Sequence, residues 1–229
     1  MFMQHKKFYA IGLISGCILL AGCQSEAKLN STHQSVEATT IFEIIKSGNI
    51  QAVQALINSN IDLERRNSQG ETALMNAIYS KQSDIAKLLI QAGADVNAQD
   101  NMQNSPFLYA GAEGYLEIVK LSLNYQPDFN VYNRYGGTAL IPAAEKGHVE
   151  TVRLLANVPN YPINHVNKLG WTALVEAVVL SDGSAPYVEI IKILLEAGAD
   201  KTIPDKNGVS ALQHAEKKGY KEIAALLRK

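Results

Sequence analysis

The sequence predicts an all-α fold, a solenoid of about six helix-turn-helix units joined by short hairpin loops. Three observations predict it. A Gly-x-Thr-Ala-Leu pattern recurs at a nearly constant interval through most of the chain. Each copy is followed by a second recurring apolar segment with helical spacing. The first 22 residues stand apart from the rest in composition. At 229 residues, 47% hydrophobic and 19% charged, the chain has the make-up of a folded protein and not of a disordered one. A formal net charge of −1 excludes nucleic-acid binding through bulk charge. Cys17 and Cys23 are the only cysteines, both near the N-terminus, which excludes a disulfide framework and a thiolate metal site.

The first element is an address. Lys6 and Lys7 precede an apolar run from Phe8 to Leu20. That run is short for a membrane span, which takes ~20 residues, but suits the core of a signal peptide. It ends in Leu20-Ala21-Gly22-Cys23, which resembles the lipobox of bacterial lipoproteins. The resemblance implies removal of residues 1–22 and lipidation of Cys23, whose thiolate is the nucleophile that takes the lipid. Several acyl chains, at ~0.8 kcal/mol per buried CH2, make a stable anchor. Gln24 stands where Asp would resemble an inner-membrane retention signal, so the expected location is the bacterial envelope, on the outer membrane facing the periplasm. Residues 23–36 read as the lipidated N-terminus and a polar, flexible tether.

The repeats follow from 37 to 229. Thr72, Ser105, Thr138, Thr172 and Ser210 lie 33, 33, 34 and 38 residues apart. Each can cap a helix by accepting a hydrogen bond from an N–H of its first turn. After Thr72, the apolar residues Ala73, Leu74, Ala77 and Ile78 define the first helix of a unit. Gly48, Gly114, Gly147 and Gly219 share one position after that helix, where the chain needs a tight turn and a positive φ. Ile85, Leu88 and Leu89 build the second helix, with Leu89 expected to be fully buried between units. Gly93 and Gly198 close that helix, with Asn60 in their place in the first copy. The expected units are about 37–69, 70–102, 103–135, 136–169, 170–207 and 208–229. None is large enough to bury its faces alone, so neighbours must stack.

The period, together with segments such as Glu117-Ile118-Val119-Lys120-Leu121 and Gly93-Ala94-Asp95-Val96-Asn97, resembles the ankyrin repeat. The resemblance implies an ankyrin-repeat solenoid with short β-hairpin loops between units. The chain departs from the family pattern in three ways. Ala replaces the usual Pro after the capping residue except at Pro106. The usual His two places further on is absent, with Met75, Leu108, Ile141, Val175 and Gln213 there instead. Pro142 falls within the first helix of the fourth unit, where an early position softens its cost.

Catalytic motifs are missing: there is no phosphate-binding Gly-rich loop, no His-Glu-x-x-His and no Gly-x-Ser-x-Gly. Past the leader, the four histidines, His33, His148, His165 and His214, are widely separated. His148 reads as a turn residue, and the recurring Asp95, Asp128 and Asp200 as backbone-binding turn residues. Two features exceed the needs of the repeat. Tyr132, Arg134, Tyr135 and Trp171 fall on adjacent hairpins and are side chains that dominate protein interfaces; the same aromatics could equally cover apolar edges between units. Glu145 and Lys146, at the end of the same unit's first helix, would add secondary contacts. The segment Ser181–Tyr187 lengthens the fifth unit, as a functional or a neutral loop.

The expected function is non-catalytic. A monomeric envelope lipoprotein is expected to bind one or more periplasmic proteins through its hairpin and inner-helix surface and to reach the membrane through the lipid on Cys23. No metal, cofactor, nucleic acid or small-molecule substrate is expected. Narrower alternatives are an immunity protein or inhibitor of a toxin, and an accessory factor in oxidative-stress defence.

Overall fold

The computed structural model describes residues 41–229. The expected signal peptide, Cys23, the tether with His33, and residues 37–40 of the first unit lie outside the described residues. The described chain is a succession of helices in pairs. Residues 41–47 (α1) pair with Ile50–Asn58 (α2), Ala73–Tyr79 (α3) with Ser83–Gln91 (α4), and Pro106–Ala112 (α5) with Leu116–Leu123 (α6). Leu140–Glu145 (α7) then pairs with Val149–Ala156 (α8), Ala173–Val179 (α9) with Ala185–Glu196 (α10), and Ala211–Lys218 (α11) with Lys221–Arg228 (α12).

Odd-numbered helices stack on one another from α3 to α11, and even-numbered helices do the same from α2 to α12. This stacking buries the apolar face that no single pair could cover. Leu74, Ile85, Leu89, Ile90, Leu155, Leu174, Ile190 and Ile191 are all essentially inaccessible, so Leu89 lies where its spacing places it. The loops between units are turns, with no strand among the described residues.

Helix starts follow the repeat, with one exception. Thr72, Ser105, Thr172 and Ser210 accept from the N–H of Met75, Leu108, Val175 and Gln213 at 3.2–3.3 Å. Ser210 and Gln213 form a reciprocal capping box. Thr138 makes no such cap, contrary to its place in the pattern: its hydroxyl is buried without a hydrogen bond, and α7 starts at Leu140. The cause is Pro142. The residues at its position in the other units, Asn76, Tyr109, Glu176 and His214, donate their N–H to the carbonyl of the capping residue at 2.9–3.0 Å. Proline has no N–H to give. Tyr161 repairs the gap, its buried hydroxyl accepting from the Leu140 N–H at 3.2 Å. Burial pushes that phenol up to about 12. The helix survives at six residues.

The turn inside each pair is left-handed, as the glycines require. Gly114 has φ +70°, and a Cβ there would come within 2.5 Å of the His148 ring. His148 is therefore packing against the turn of the preceding unit, and burial lowers its pKa. Lys81 takes the same conformation, φ 58°, without being glycine.

The Ser181–Tyr187 insertion is only partly a loop. Pro186 opens α10, as proline does well in a first turn. Tyr187 reaches back to donate to the Glu145 carbonyl at 2.9 Å. Tyr220 donates to the Ser181 carbonyl at 2.7 Å and covers Gly183. The extra residues thus lengthen the second helix and tie three units together.

Candidate functional site

Each hairpin is held by one residue that the capping pattern does not reveal. Asn67, Asp100, Asn133, Asn167 and Asp205 occupy equivalent positions. The Oδ1 atom of each accepts two N–H groups of its own loop, at 2.8–3.1 Å. This is the Asx turn, which fixes a loop without a strand. Asp95, Asp128 and Asp200 accept from the N–H two residues on, at 2.8 Å, the turn role expected for them. Successive hairpins are also joined directly: Asn101 N–H donates to the Gln69 carbonyl at 3.1 Å, and Lys168 N–H to the Tyr135 carbonyl at 2.8 Å.

A row of hairpins held this way projects a row of tips. The residue before the left-handed position is Gln69, Met102, Tyr135, Leu169 and Asn207 in turn. The three central tips are apolar or aromatic and stand 51%, 51% and 40% exposed. Together with Leu180, 46% exposed at the end of α9, they line a groove of about 530 Å³ between the tips and the inner helices. Most exposed apolar side chains on a protein are scattered singly, whereas these converge on one concavity.

The expected partner-binding residues divide across this groove. Arg134, Tyr135, Glu145 and Lys146 line it, whereas Tyr132 and Trp171 are not among its walls. Tyr132 is half-buried and stacks on His165, ring centroids 4.3 Å apart. His165 is in turn hydrogen-bonded to the Gly136 carbonyl at 2.6 Å. Trp171 is half-buried against the core and closes its hairpin through Asn167, whose N–H donates to the Trp171 carbonyl at 3.0 Å. The Arg134 guanidinium lies over the Tyr135 ring, 4.8 Å from its centre.

Sequence reasoning missed Met102, Leu169, Leu180 and Glu176. The tip positions could have been found by aligning the residue before each Gly of the pattern, or before Gln103 where it replaces that Gly. Glu176 could not, because its setting depends on how α9 packs on α7. It is 6% exposed, and its Oε2 accepts from Asn167 Nδ2 at 2.9 Å. Burial, and then the charge of Glu145 facing it, push its pKa up to about 7. Lys146 is paired with Glu113 across two units, leaving Glu145 and Glu176 in no ion pair among the described residues.

His214 is bound to Asp205 at 2.9 Å. Among the described residues, no group of three or more His, Cys, Asp or Glu is placed to hold a metal ion. No described helix is long and apolar enough to cross a membrane.

Stacked helix pairs, tied hairpins and an open groove together define a repeat solenoid. The chain belongs to the ankyrin repeat family: the family model "Ankyrin repeats (3 copies)" matches residues 11–100 and 107–205, its first block beginning inside the expected leader. The chain is 45% identical to the ankyrin repeat protein YahD of Escherichia coli K12 over 65 residues, which is 28% of this chain and 32% of that one. It therefore spans about a third of that curated relative. Among solved structures it is similar to an ankyrin repeat domain from Acinetobacter baumannii AYE, with 48% identity, TM-score 0.80, and 82% and 96% of the two chains covered. The ankyrin repeat protein EF0377 gives 40% identity, TM-score 0.81 and coverage of 84% and 98%. The ankyrin repeat domain of Bcl-3, a member of the IkappaB protein family, gives 25% identity, TM-score 0.70 and coverage of 82% and 84%. Ankyrin repeats generally serve protein–protein interaction and are generally non-catalytic scaffolds.

Proposed function

We propose that this protein is a non-catalytic, lipid-anchored ankyrin repeat protein of the bacterial envelope, which faces the periplasm and binds a protein partner in the groove between its hairpin tips and inner helices. One observation carries the binding reading: three successive tips, Met102, Tyr135 and Leu169, are exposed apolar or aromatic side chains on one groove, while the flanking tips Gln69 and Asn207 are polar. A scaffold built for stability alone has no use for that stripe, since tip side chains leave the stacked core unburdened. Tyr and Arg carry much of the energy at protein interfaces, and here they meet as Arg134 over Tyr135. The anchor rests on Leu20-Ala21-Gly22-Cys23 behind the apolar run.

Two experiments test the two halves. Crosslinking in intact cells followed by pull-down should recover a periplasmic or envelope protein, and Tyr135→Ala with Leu169→Ala should weaken its capture at least ~10-fold, the effect of a hot-spot pair. Capture unchanged by that pair, with the helical signal intact, would remove the groove from the proposal. Cys23→Ala should abolish lipid labelling and release the protein from membranes; a variant that still fractionates with membranes refutes the anchor.

A further inference from the structure

The floor of the groove carries a charge imbalance that tells what the partner brings. Glu176 lies on α9 and Glu145 at the end of α7, 31 residues apart in sequence, and the stacking of those helices brings their carboxyls face to face. Glu176 is nine-tenths buried, the Asn167 amide serves its Oε2, the Glu145 carboxyl lies within hydrogen-bonding reach of it, and both glutamates line the groove. The two cations that also line the groove are already engaged, Lys146 with Glu113 and Arg134 with the Tyr135 ring. A carboxyl buried beside another without a cation is costly. It is retained here at the bottom of a cavity open to ligand.

Resting on the proposed partner-binding reading, we infer that the groove is a receptor for a lysine or arginine side chain, presented by a partner protein in an extended segment with apolar residues on either side. The cation enters between Glu145 and Glu176, and the flanking apolar residues lie on Met102, Tyr135, Leu169 and Leu180. Two carboxylates facing one cation accept the charge-assisted hydrogen bonds that a guanidinium fork donates best. A metal ion is a poorer occupant, because the described residues supply no third ligand of the usual kinds. The cation supplies what Glu176 lacks, so complex formation discharges the proton that burial holds on it.

The test uses the full chain in detergent micelles as bait for a displayed random heptapeptide library. The expected result is enrichment of peptides with one Lys or Arg between apolar residues, binding at least ~10-fold more weakly when that cation is replaced by Gln. Glu176→Gln with Glu145→Gln should erase the cation preference while apolar preferences persist. Glu145→Lys, at a half-buried site, places the missing cation beside Glu176 and should abolish the preference for Lys or Arg. Selected peptides without a cation, or a cation preference that survives both carboxylate variants, overturn this inference and leave the groove as a binding site. Failure to enrich any peptide overturns the groove reading itself.

Discussion

Glu176 makes the stability of this protein depend on pH in the sense opposite to most carboxylates. Its side chain is held neutral by burial and by the Glu145 charge facing it, so its pKa rises from 4.5 to about 7. The folded chain therefore binds this proton more tightly than the unfolded chain does. The stabilisation is complete below the unfolded value and is lost as pH climbs through the folded one. At ~1.4 kcal/mol for each pH unit between the two values, the gap sets a ceiling of roughly 3 kcal/mol. Access of water to the groove reduces this toward about half. The perturbation is Glu176→Gln, which keeps the shape, keeps an oxygen for the Asn167 amide and cannot ionise. Urea unfolding at about pH 5 and about pH 8 should show equal stability for the two proteins at the lower pH and an advantage of ~1.5–3 kcal/mol for the variant at the higher one. Only the difference between the two curves matters, because every other titrating group is common to both. Parallel curves across that range would refute the reasoning and mean that the Glu176 carboxyl is ionised and solvated in the folded state.

Two packing predictions follow from the stack. Leu89, fully buried in α4, should cost roughly 2–5 kcal/mol when truncated to Ala, read from the urea midpoint; a loss under about half a kilocalorie would mean that neighbouring units do not close on it. Tyr161→Phe removes the acceptor that Leu140 N–H uses at 3.2 Å and should cost about 1–3 kcal/mol, the price of a buried unsatisfied donor. Hydrogen exchange should show the Leu140 amide losing protection in that variant, and continued protection would show that another acceptor takes over.

How much was legible follows from what repetition can reveal. Caps, turn glycines and buried leucines recur because every unit meets the same neighbours, so comparing copies exposes them. The Asx residues at 67, 100, 133, 167 and 205 recur with the same spacings and were open to the same comparison. Features particular to one unit were not legible. The loss of the Thr138 cap is written in Pro142, but its repair comes from Tyr161, 23 residues after the cap, across two helices and their turns. The helical share of the insertion depends on Tyr187 reaching Glu145, on another unit. By type alone Tyr132 and Trp171 read equally as interface aromatics or as covers of apolar edges; His165 stacks against the first and the core packs against the second. Aromatic identity alone does not separate a cover from an anchor.

The same distinction explains where recognition can reside in this chain. Positions that cap, turn or fill the core are constrained in every unit by identical surroundings, and they vary little from copy to copy. The hairpin tip and the fourth residue after the cap vary from copy to copy, and in the three central units both line the groove. The tips read Gln69, Met102, Tyr135, Leu169 and Asn207, and the helix position reads Asn76, Tyr109, Pro142, Glu176 and His214. The helix position accepts a proline that costs the unit its cap and a carboxyl that burial opposes. Tyr109, Pro142 and Glu176 sit opposite Met102, Tyr135 and Leu169 on one groove. Local stability has thus been conceded at the centre of the solenoid, where a bound segment would contact the most units at once. A surface that departs from its own repeat in both series, over the same three units, is the part of the fold that the scaffold alone does not account for.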